Sequence, residues 1–339
     1  MLANSSQLVL RNSADLTGNV LIVEPIADEL GSQLLANATG ISSLSCFTTD
    51  KAVANQWQHP TVDLVFDVTA NFNQPFDTIV IFYPKSKEQL AYTLGQLKTA
   101  FKTDSQVFVV GENKGGIKSL ANHAKKLGLD ANKLDNAKHC LWFMLHGDLA
   151  AIKTTAASQF TVTIANKSLT LYSLPGVFNH GKLDIGTALL LEHLPIISQG
   201  KVLDFACGNG VVGAALKFTN PNIDLYCSDI SSIATEASKL TLAKNGLAAT
   251  IITADGIPDQ PEQFAAIVSN PPFHTGIKTN YDIVELFIQQ SAKRLVNKGS
   301  LTIVANSHLQ YMPILQQCFK QVEVKAKANG FTIYQAIKL

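Results

Sequence analysis

Several features that often identify a protein class from its sequence are missing from this chain. It has no C-x-x-C pair and no cysteine spacing typical of zinc, because its five cysteines are scattered. No apolar run approaches the roughly 20 residues that a membrane-spanning helix requires, and the first residues lack the basic and apolar segments of a secretory signal. These absences argue against a disulfide framework, a zinc site and a membrane protein, and they predict a reduced, cytoplasmic compartment.

An excess of charge of either sign is also missing. The 339-residue chain has 27 Lys and Arg against 26 Asp and Glu, so composition gives no indication of nucleic-acid binding. Any nucleic-acid partner must therefore be argued from a site. Apolar residues are abundant instead, at 46% of the chain against 16% charged, which provides for a well-buried core. The length favours two domains of ordinary size.

The second half of the chain alternates apolar segments with segments of helical character. KVLDFA, IDLYCSD, ATIITAD, FAAIVSN and SLTIVAN predict buried strands, with helices between them. Strands that are apolar almost throughout indicate a mostly parallel sheet covered on both faces. QVEVKAKANGFTIYQAIKL predicts a closing antiparallel hairpin, so the predicted fold class is α/β and Rossmann-like.

The first half repeats this outline. GNVLIVEP takes the place of GKVLDFAC, FDTIVIFYPKSKEQ that of FAAIVSNPPFHTG, and SQVFVVGEN that of GSLTIVANS. We interpret the likeness as an internal duplication, against the alternative of a chance resemblance between two α/β domains. Residues 24–27, Glu-Pro-Ile-Ala, replace the glycine-rich turn of the second copy, so the first copy is predicted to be degenerate, without a ligand site. The predicted domains are residues 1–155 and 156–339, two tandem Rossmann-like copies.

Polar residues close four predicted strands of the second half, namely Asp204, Asp229, Asp255 and Asn270. In an open parallel sheet, ligands bind outside the carboxyl ends of the strands, so these residues are expected to surround one site. Each of them alone is equally well explained as a helix cap or a turn residue. Four in series are difficult to explain by capping alone.

Glycines follow the first of these strands in the segment DFACGNGVVG. Gly208 and Gly210 allow a tight turn and the close approach of a ligand, and Gly213 allows the next helix to pack closely. Asp229 follows this turn by about 20 residues, the separation typical of a carboxylate that binds a ribose diol. A nucleoside-bearing cofactor is therefore predicted, with NAD and S-adenosylmethionine both open. Cys207 is interpreted as a small packing residue and not as a nucleophile.

The fourth strand runs into Asn-Pro-Pro-Phe, residues 270–273. A strand is not expected to continue through two prolines, because proline has no N–H to donate to a neighbouring strand. The side-chain carbonyl of Asn270 and the main-chain carbonyl of Pro271 can together accept both hydrogens of one NH₂ group. Phe273 can stack on the planar ring that carries this amine. A stiff turn without a ligand is the alternative explanation.

These residues resemble the class I S-adenosylmethionine-dependent methyltransferases that methylate amino groups and carry an (N/D/S)-P-P-(F/Y/W) motif. Five segments are similar to the ribosomal RNA small subunit methyltransferase C family. In the second half they are LPGVFNHGKLDIGTALLLEHL, KVLDFACGNGVVG and IVSNPPFHTGIKT, and in the first half YPKSKEQ and FVVGENKGGIKS. That family methylates guanine N2 in 16S rRNA, and its amino-terminal domain is a degenerate methyltransferase copy. The resemblance covers nearly the whole chain, whereas N-P-P-F alone is shared with adenine-N6 and protein-glutamine methyltransferases.

The resemblance implies S-adenosylmethionine as cofactor, 16S rRNA in the assembled 30S subunit as partner, no metal, no membrane and a monomeric cytoplasmic enzyme. The alternatives are an adenine-N6 or 23S rRNA guanine-N2 methyltransferase and a non-catalytic ribosome-assembly factor. Asp204 is expected near the cofactor ammonium, Asp229 at its ribose and Asp255 at its adenine. For Asp255, a role as a turn cap is an equally good explanation. The implied catalytic residues are Asn270, Pro271, Pro272 and Phe273, and the implied cofactor-binding residues are Phe178, Asp184, Asp204, Cys207, Gly208, Gly210, Asp229 and Asp255.

Two further expectations concern single positions. Ala206 replaces the first glycine of the family's D-x-G-x-G-x-G turn, and alanine is tolerated there only if φ is negative. In the first half, Lys85, Lys87, Lys114 and Lys118 fall at predicted strand ends and are candidate RNA contacts, with solvated charge as the alternative.

Overall fold

The structure is a computed structural model that describes residues 2–84, 86–164, 167–178, 181–271 and 277–339, with the side chains of residues 87 and 277–282 excepted. It divides into two compact units, residues 1–156 and 157–339. Across the described ranges, no helix has both the length and the apolar character needed to cross a membrane. Each unit is built on its own sheet.

In the described part of the first unit, helices separate most successive strands, but none lies between the third and fourth strands or between the last two. Its helices are α1 (Asn4–Arg11), α2 (Leu30–Asn37), α3 (Lys51–Gln56), α4 (Lys87–Gln96) and α5 (Leu120–Lys126). Its strands are β1 (Gly18–Val23), β2 (Ile41–Thr48), β3 (Val62–Phe66), β4 (Thr78–Phe82), β5 (Gln106–Glu112), β6 (Asp130–Ala137) and β7 (Cys140–His146). Within the described residues these strands form one sheet in the order β3-β2-β1-β4-β5-β7-β6, in which β7 runs antiparallel to both of its neighbours and the other pairs are parallel.

The second unit begins with a small antiparallel sheet and then repeats the same plan. The small sheet consists of β8 (Ser158–Ile164) and β9 (Lys167–Ser173). The helices are α6 (Ile185–Glu192), α7 (Val211–Thr219), α8 (Ser232–Lys244), α9 (Ile277–Arg294) and α10 (Met312–Cys318). The remaining strands are β10 (Gly200–Phe205), β11 (Ile223–Asp229), β12 (Thr250–Thr253), β13 (Phe264–Ser269), β14 (Leu295–Asn306), β15 (Gln321–Ala328) and β16 (Phe331–Ile337).

The two large sheets have the same topology. The described strands of the second sheet lie in the order β12-β11-β10-β13-β14-β16-β15, which matches the first sheet strand for strand. Here too the strand from the closing hairpin, β16, is antiparallel to both neighbours, and the other pairs are parallel. The predicted fold class, two tandem Rossmann-like α/β domains with a closing antiparallel hairpin, is confirmed. The shared strand order also supports the internal duplication.

The central strands are largely apolar because both faces of each sheet are covered. Along β1, Val20 and Ile22 enter one hydrophobic cluster, whereas Leu21 and Val23 enter another. Alternate side chains of a strand point to opposite faces, so the two clusters lie on the two sides of the sheet. Each fully buried side chain of this size stabilises the fold by roughly 1.5–3 kcal/mol. The carboxyl end of each central strand is thereby held rigidly in place.

The residue that follows the first large-sheet strand has a positive φ in both units. Ala206 follows β10 with φ +55°, and Glu24 follows β1 with φ +50°. The expectation that alanine requires a negative φ at position 206 is therefore wrong. A left-handed conformation costs an L-residue roughly 1–2 kcal/mol. Main-chain hydrogen bonds hold the turn, since the Cys207 N–H donates to the Ser228 carbonyl over 3.0 Å and the Gly210 N–H donates to the Cys207 carbonyl over 2.8 Å.

Candidate active site

A cavity of about 640 Å³ opens in the second unit at the carboxyl ends of β10, β11, β13 and β14. This volume is typical of sites that bind small molecules and cofactors. Most of the residues predicted from the sequence meet there, as expected for the ends of neighbouring parallel strands. Those that line the cavity are Phe178, Asp184, Asp204, Cys207, Gly208, Asp229, Asp255, Asn270 and Pro271.

Gly210 is the one predicted residue within the described ranges that is not among those lining the cavity. It packs against α8, where an added Cβ would lie 2.8 Å from Ser238 Oγ and 3.0 Å from Ser238 Cα. Close packing and a φ of +79° thus give this glycine a structural reason that needs no ligand. Pro272 and Phe273 lie outside the described residues, as does Lys85 of the candidate RNA contacts.

Asp204 is the most deeply buried acid of the cavity, with 1% of its surface exposed. One carboxyl oxygen, Oδ2, accepts a hydrogen bond of 2.7 Å from the N–H of Gly213. Burial raises the pKa of Asp204 from 3.8 to about 8, with the nearby Asp229 adding to the rise and the Gly213 N–H opposing it. Gly213 itself lies so close that a Cβ would be 2.6 Å from Cys227 Sγ, which confirms the predicted tight packing of α7 on the sheet.

Asp229 joins the end of β11 to the glycine turn. Its Oδ2 accepts from the Gly208 N–H over 2.9 Å, and its Oδ1 accepts from the Ser231 N–H over 3.0 Å. The carboxylate is therefore oriented by two main-chain donors, one bonded to each of its oxygens. Gly208 has φ +54°, and a Cβ added there would meet no atom within 4 Å, so the main chain is open to the cavity at this residue.

Cys207 does not have the surroundings of a nucleophile. Its side chain is buried, and burial, reinforced by the nearby Cys227 and the two aspartates, raises the pKa of the thiol well above its usual value. Ser238 Oγ also donates a hydrogen bond to Cys207 Sγ over 3.2 Å. A neutral, hydrogen-bonded thiol is a poor nucleophile, which agrees with its interpretation as a packing residue.

Asn270 lies at the end of β13, and its amide group is held by α6. Its Nδ2 donates to Thr187 Oγ1 over 2.8 Å and to Asp184 Oδ2 over 3.2 Å. A carboxylate only accepts hydrogen bonds, so the atom that faces Asp184 must be the NH₂ group. The carbonyl oxygen of the amide is consequently the end that remains for a ligand. Asp184 lines the cavity, as the sequence predicted, and its carboxylate also accepts a hydrogen bond from Asn270.

Other polar residues of the cavity were missed from the sequence. They include Thr187 in α6, Asn209 in the glycine turn, Gln290 in α9 and Asn306 at the end of β14. Only Asn306 had a sequence signal, since it closes a predicted strand like the four residues named above. The others come from helices or from a turn, and only the packing of those elements brings them to the cavity.

The corresponding turn of the first unit is filled by its own side chain. The carboxylate of Glu24 accepts from Thr48 Oγ1 over 3.1 Å, from Thr49 Oγ1 over 2.7 Å and from the Thr49 N–H. Burial raises the pKa of Glu24, and the hydrogen bonds from these threonines oppose the rise. Strand register makes Thr48 the counterpart of Asp229, because Val23 pairs with Phe47 as Phe205 pairs with Ser228. The long acid thus occupies the space that stays open in the second unit.

Two family models match successive parts of the chain. The model described as Methyltransferase small domain matches residues 168–335, and the model described as Methyltransferase small domain N-terminal matches residues 6–162.

Named relatives and a solved structure match over nearly the full length. The chain is 37% identical over 342 residues to ribosomal RNA small subunit methyltransferase C of Pseudoalteromonas translucida strain TAC 125, a match that covers 99% of both chains. It is 38% identical over 341 residues, 98% of both chains, to the protein of that name from Stutzerimonas stutzeri strain A1501. It is also similar in structure to a T. thermophilus 16S rRNA N2 G1207 methyltransferase in complex with AdoMet and guanosine. That match has a TM-score of 0.83 and 20% identity over 99% of this chain and 92% of the other, which shows the fold.

Proposed function

Because this chain belongs to the ribosomal RNA small subunit methyltransferase C family, we propose that it transfers a methyl group from S-adenosylmethionine to the exocyclic N2 of a guanine in 16S rRNA. The resemblance noted in the sequence is confirmed at the level of the family, and the protein is a methyltransferase. The proposed target is guanine 1207, the position in the name of the similar T. thermophilus enzyme. The observation that carries the mechanism is the orientation of the Asn270 amide.

The cavity has groups that fit each part of S-adenosylmethionine. The buried carboxyl of Asp204 is proposed to bind the ammonium, Asp229 the ribose hydroxyls and Asp255 the adenine amine. The main chain at Cys207 and Gly208 would lie along the methionine part, a role supported by the open space at Gly208. Bound in this way, the cofactor supplies an electrophilic methyl group on its sulfonium.

Two residues at the wall of the cavity are proposed to complete this binding. Phe178 lines the cavity with 51% of its surface exposed, which suits a ring at the rim. Asp184 lines the cavity from the start of α6, where its side chain also caps that helix by accepting from the Thr187 N–H. Both were expected at the cofactor mouth, and both keep that role in the proposal.

Asn270 and Pro271 are proposed to hold the amine that is methylated. Guanine N2 is a poor nucleophile, because its lone pair is shared with the ring. When the carbonyls of Asn270 and Pro271 accept both N2 hydrogens, a tetrahedral nitrogen is favoured, and its lone pair is aimed at the methyl group. As the new N–C bond forms, the methyl group leaves the sulfur, and the methylated nitrogen releases one hydrogen as a proton to water. Transfer then relies on positioning and electrostatics, with no step that needs a metal.

The guanine must leave its stack to enter this cavity, as for other enzymes that modify a base. Pro272 and Phe273 are proposed to complete the pocket by fixing the main chain and stacking on the flipped base. They follow Pro271 directly in the sequence, and Pro271 lines the cavity, which supports this part of the proposal. Stacking on an aromatic ring is worth roughly 1–3 kcal/mol per base.

The first unit, residues 1–155 of the predicted division, is proposed to contribute substrate binding or stability without chemistry. The hydrogen bonds of the Glu24 carboxylate support this role, because they engage the acid within its own turn. Lys114 and Lys118 are exposed in short helical turns after β5 and remain candidate contacts for RNA phosphates. The protein is further proposed to work as a cytoplasmic monomer on the assembled 30S subunit.

The test of the proposed function is nucleoside mapping of rRNA from cells that lack the protein. One N2-methylguanine of 16S rRNA should disappear, and it should return with the wild-type gene. Asn270→Ala should not restore it, although the variant should bind S-adenosylmethionine as the wild type does. Loss of an N6-methyladenine, or of an N2-methylguanine in 23S rRNA, would identify that base as the target and refute the proposed substrate. Full restoration by Asn270→Ala would refute the mechanism, and an unchanged rRNA pattern in the deletion strain would favour a non-catalytic assembly factor.

A further inference from the structure

We propose that Thr187 is a positioning residue for methyl transfer, which with Asp184 fixes the direction of the Asn270 amide. The inference rests on the proposed function, since it assigns Asn270 the role of acceptor for the target amine. No feature of the sequence links α6 to the N-P-P-F segment. The link is visible only as hydrogen bonds between residues more than 80 positions apart.

The hydrogen-bond directions in this group are set by the acid. Asp184 Oδ2 accepts from the Thr187 N–H over 3.0 Å and from the Thr187 hydroxyl over 3.3 Å. A hydroxyl has one hydrogen to donate, so once that hydrogen points to Asp184 the oxygen faces Asn270 only as an acceptor. The amide of Asn270 then meets two acceptors, at 2.8 Å and 3.2 Å. Only its NH₂ end can satisfy both of them.

A flipped amide would place a carbonyl against these two oxygens with no hydrogen between them. It would also turn the NH₂ group toward the cavity, where it would repel the N2 hydrogens of guanine. The bonds from Asn270 to Thr187 and Asp184 therefore select the one rotamer that offers an acceptor to an amine. This selection would matter less for a serine at the same position of the motif, because a hydroxyl oxygen can accept in any rotation.

The start of α6 is held firmly enough to act in this way. Thr187 is 7% exposed, so its hydroxyl is shielded from exchange with water. At Gly186, an added Cβ would lie 2.8 Å from the ring of Phe331 and 3.1 Å from Asp184 Oδ2. The helix start thus packs directly against β16 at the wall of the cavity, and the hydrogen bonds from Asn270 join it to the end of β13.

The first test compares Thr187→Val with Thr187→Ser. Valine keeps the shape but removes the hydroxyl, so kcat should fall about tenfold, the effect of one lost hydrogen bond, with KM for the RNA and Kd for S-adenosylmethionine within about twofold. Serine restores the hydroxyl and should recover most of kcat. Thr241→Val is the matched control, because Thr241 is a buried helix threonine whose hydroxyl accepts from the Tyr172 N–H, away from the cavity residues. It should lower stability and leave kcat unchanged.

The second test replaces the donor with an acceptor. Asn270→Asp would place a second carboxylate beside Asp184, so kcat should fall more than about 100-fold, because unpaired like charges at hydrogen-bond distance cannot both be tolerated. An unimpaired Asn270→Asp would overturn the inference.

These outcomes separate the inference from the function on which it rests. If Asn270→Ala is inactive and Thr187→Val keeps the wild-type kcat, the positioning role is refuted and the proposed reaction stands. If Asn270→Ala is fully active, the proposed mechanism fails, whatever the Thr187 variants show. If both Asn270→Ala and Thr187→Val lose kcat and Thr187→Ser does not, the positioning role is supported.

Discussion

Replacing Asp204 with asparagine should flatten the pH dependence of stability of the ligand-free protein. Burial raises the pKa of this carboxyl from 3.8 to about 8, so the folded chain keeps a proton that the unfolded chain releases. The contribution to the free energy of unfolding is full below about pH 4 and falls by about 1.4 kcal/mol per pH unit until the folded pKa is reached. The total loss is on the order of 5 kcal/mol at about pH 8.

The assay is urea unfolding of the wild type and Asp204→Asn at about pH 5 and about pH 8. Asparagine can still accept from the Gly213 N–H but has no proton to release. The wild type should lose about 4 kcal/mol more than the variant between these two pH values. Glu24, whose pKa burial also raises, contributes to the slope of both proteins and cancels in the difference. Equal slopes would show that Asp204 does not titrate in this range, and the reasoning from its burial would be refuted.

Cofactor binding offers an independent check of the same group. If the carboxylate of Asp204 binds the ammonium of S-adenosylmethionine, it must be ionised in the complex, so binding should release a proton below about pH 8. Affinity should then weaken by about tenfold for each pH unit below that value. Calorimetry in two buffers with different enthalpies of ionisation measures the released proton directly. A complex that forms without proton release would place the ammonium elsewhere in the cavity.

Three further predictions concern the turns that follow the first strand of each large sheet. Gly210→Ala should lower the free energy of unfolding, measured by chemical denaturation, by more than about 2 kcal/mol, because its Cβ would overlap Ser238. Gly208→Ala should lower it by only about 1–2 kcal/mol, but should weaken S-adenosylmethionine binding in a titration. Ala206→Gly should raise the free energy of unfolding by about 0.5–1 kcal/mol, since relief of the left-handed strain exceeds the entropy cost of glycine, and a lower value would contradict this. Glu24→Ala should lower stability by about 1–3 kcal/mol through the donors left unpaired, with kcat per folded molecule unchanged, and a fall in kcat would give the first unit a direct part in the reaction.

The sequence was sufficient for the fold and for the place of the site, because both follow from the pattern of the strands. Buried parallel strands with polar residues at their carboxyl ends bring Asp204, Asp229, Asp255 and Asn270 to one edge by geometry alone. It was not sufficient for the function of single positions. Gly210 could serve a ligand or a neighbouring helix, and its close packing against Ser238 is visible only in the structure.

The turns at Ala206 and Glu24 show why a shared fold does not carry a shared site. Both residues have a left-handed conformation, so the main chain leaves the strand in the same way in the two units. In the second unit the acid is Asp229 on the neighbouring strand, and the turn donates to it through the Gly208 N–H. In the first unit the acid is Glu24 on the turn itself, and the donors come from Thr48 and its neighbour. In the first unit the carboxylate thus lies on the turn and not at the end of the neighbouring strand. Removing it would open a space but leave no carboxylate at that strand end. Glu24→Ala alone should therefore not create a second binding site for S-adenosylmethionine.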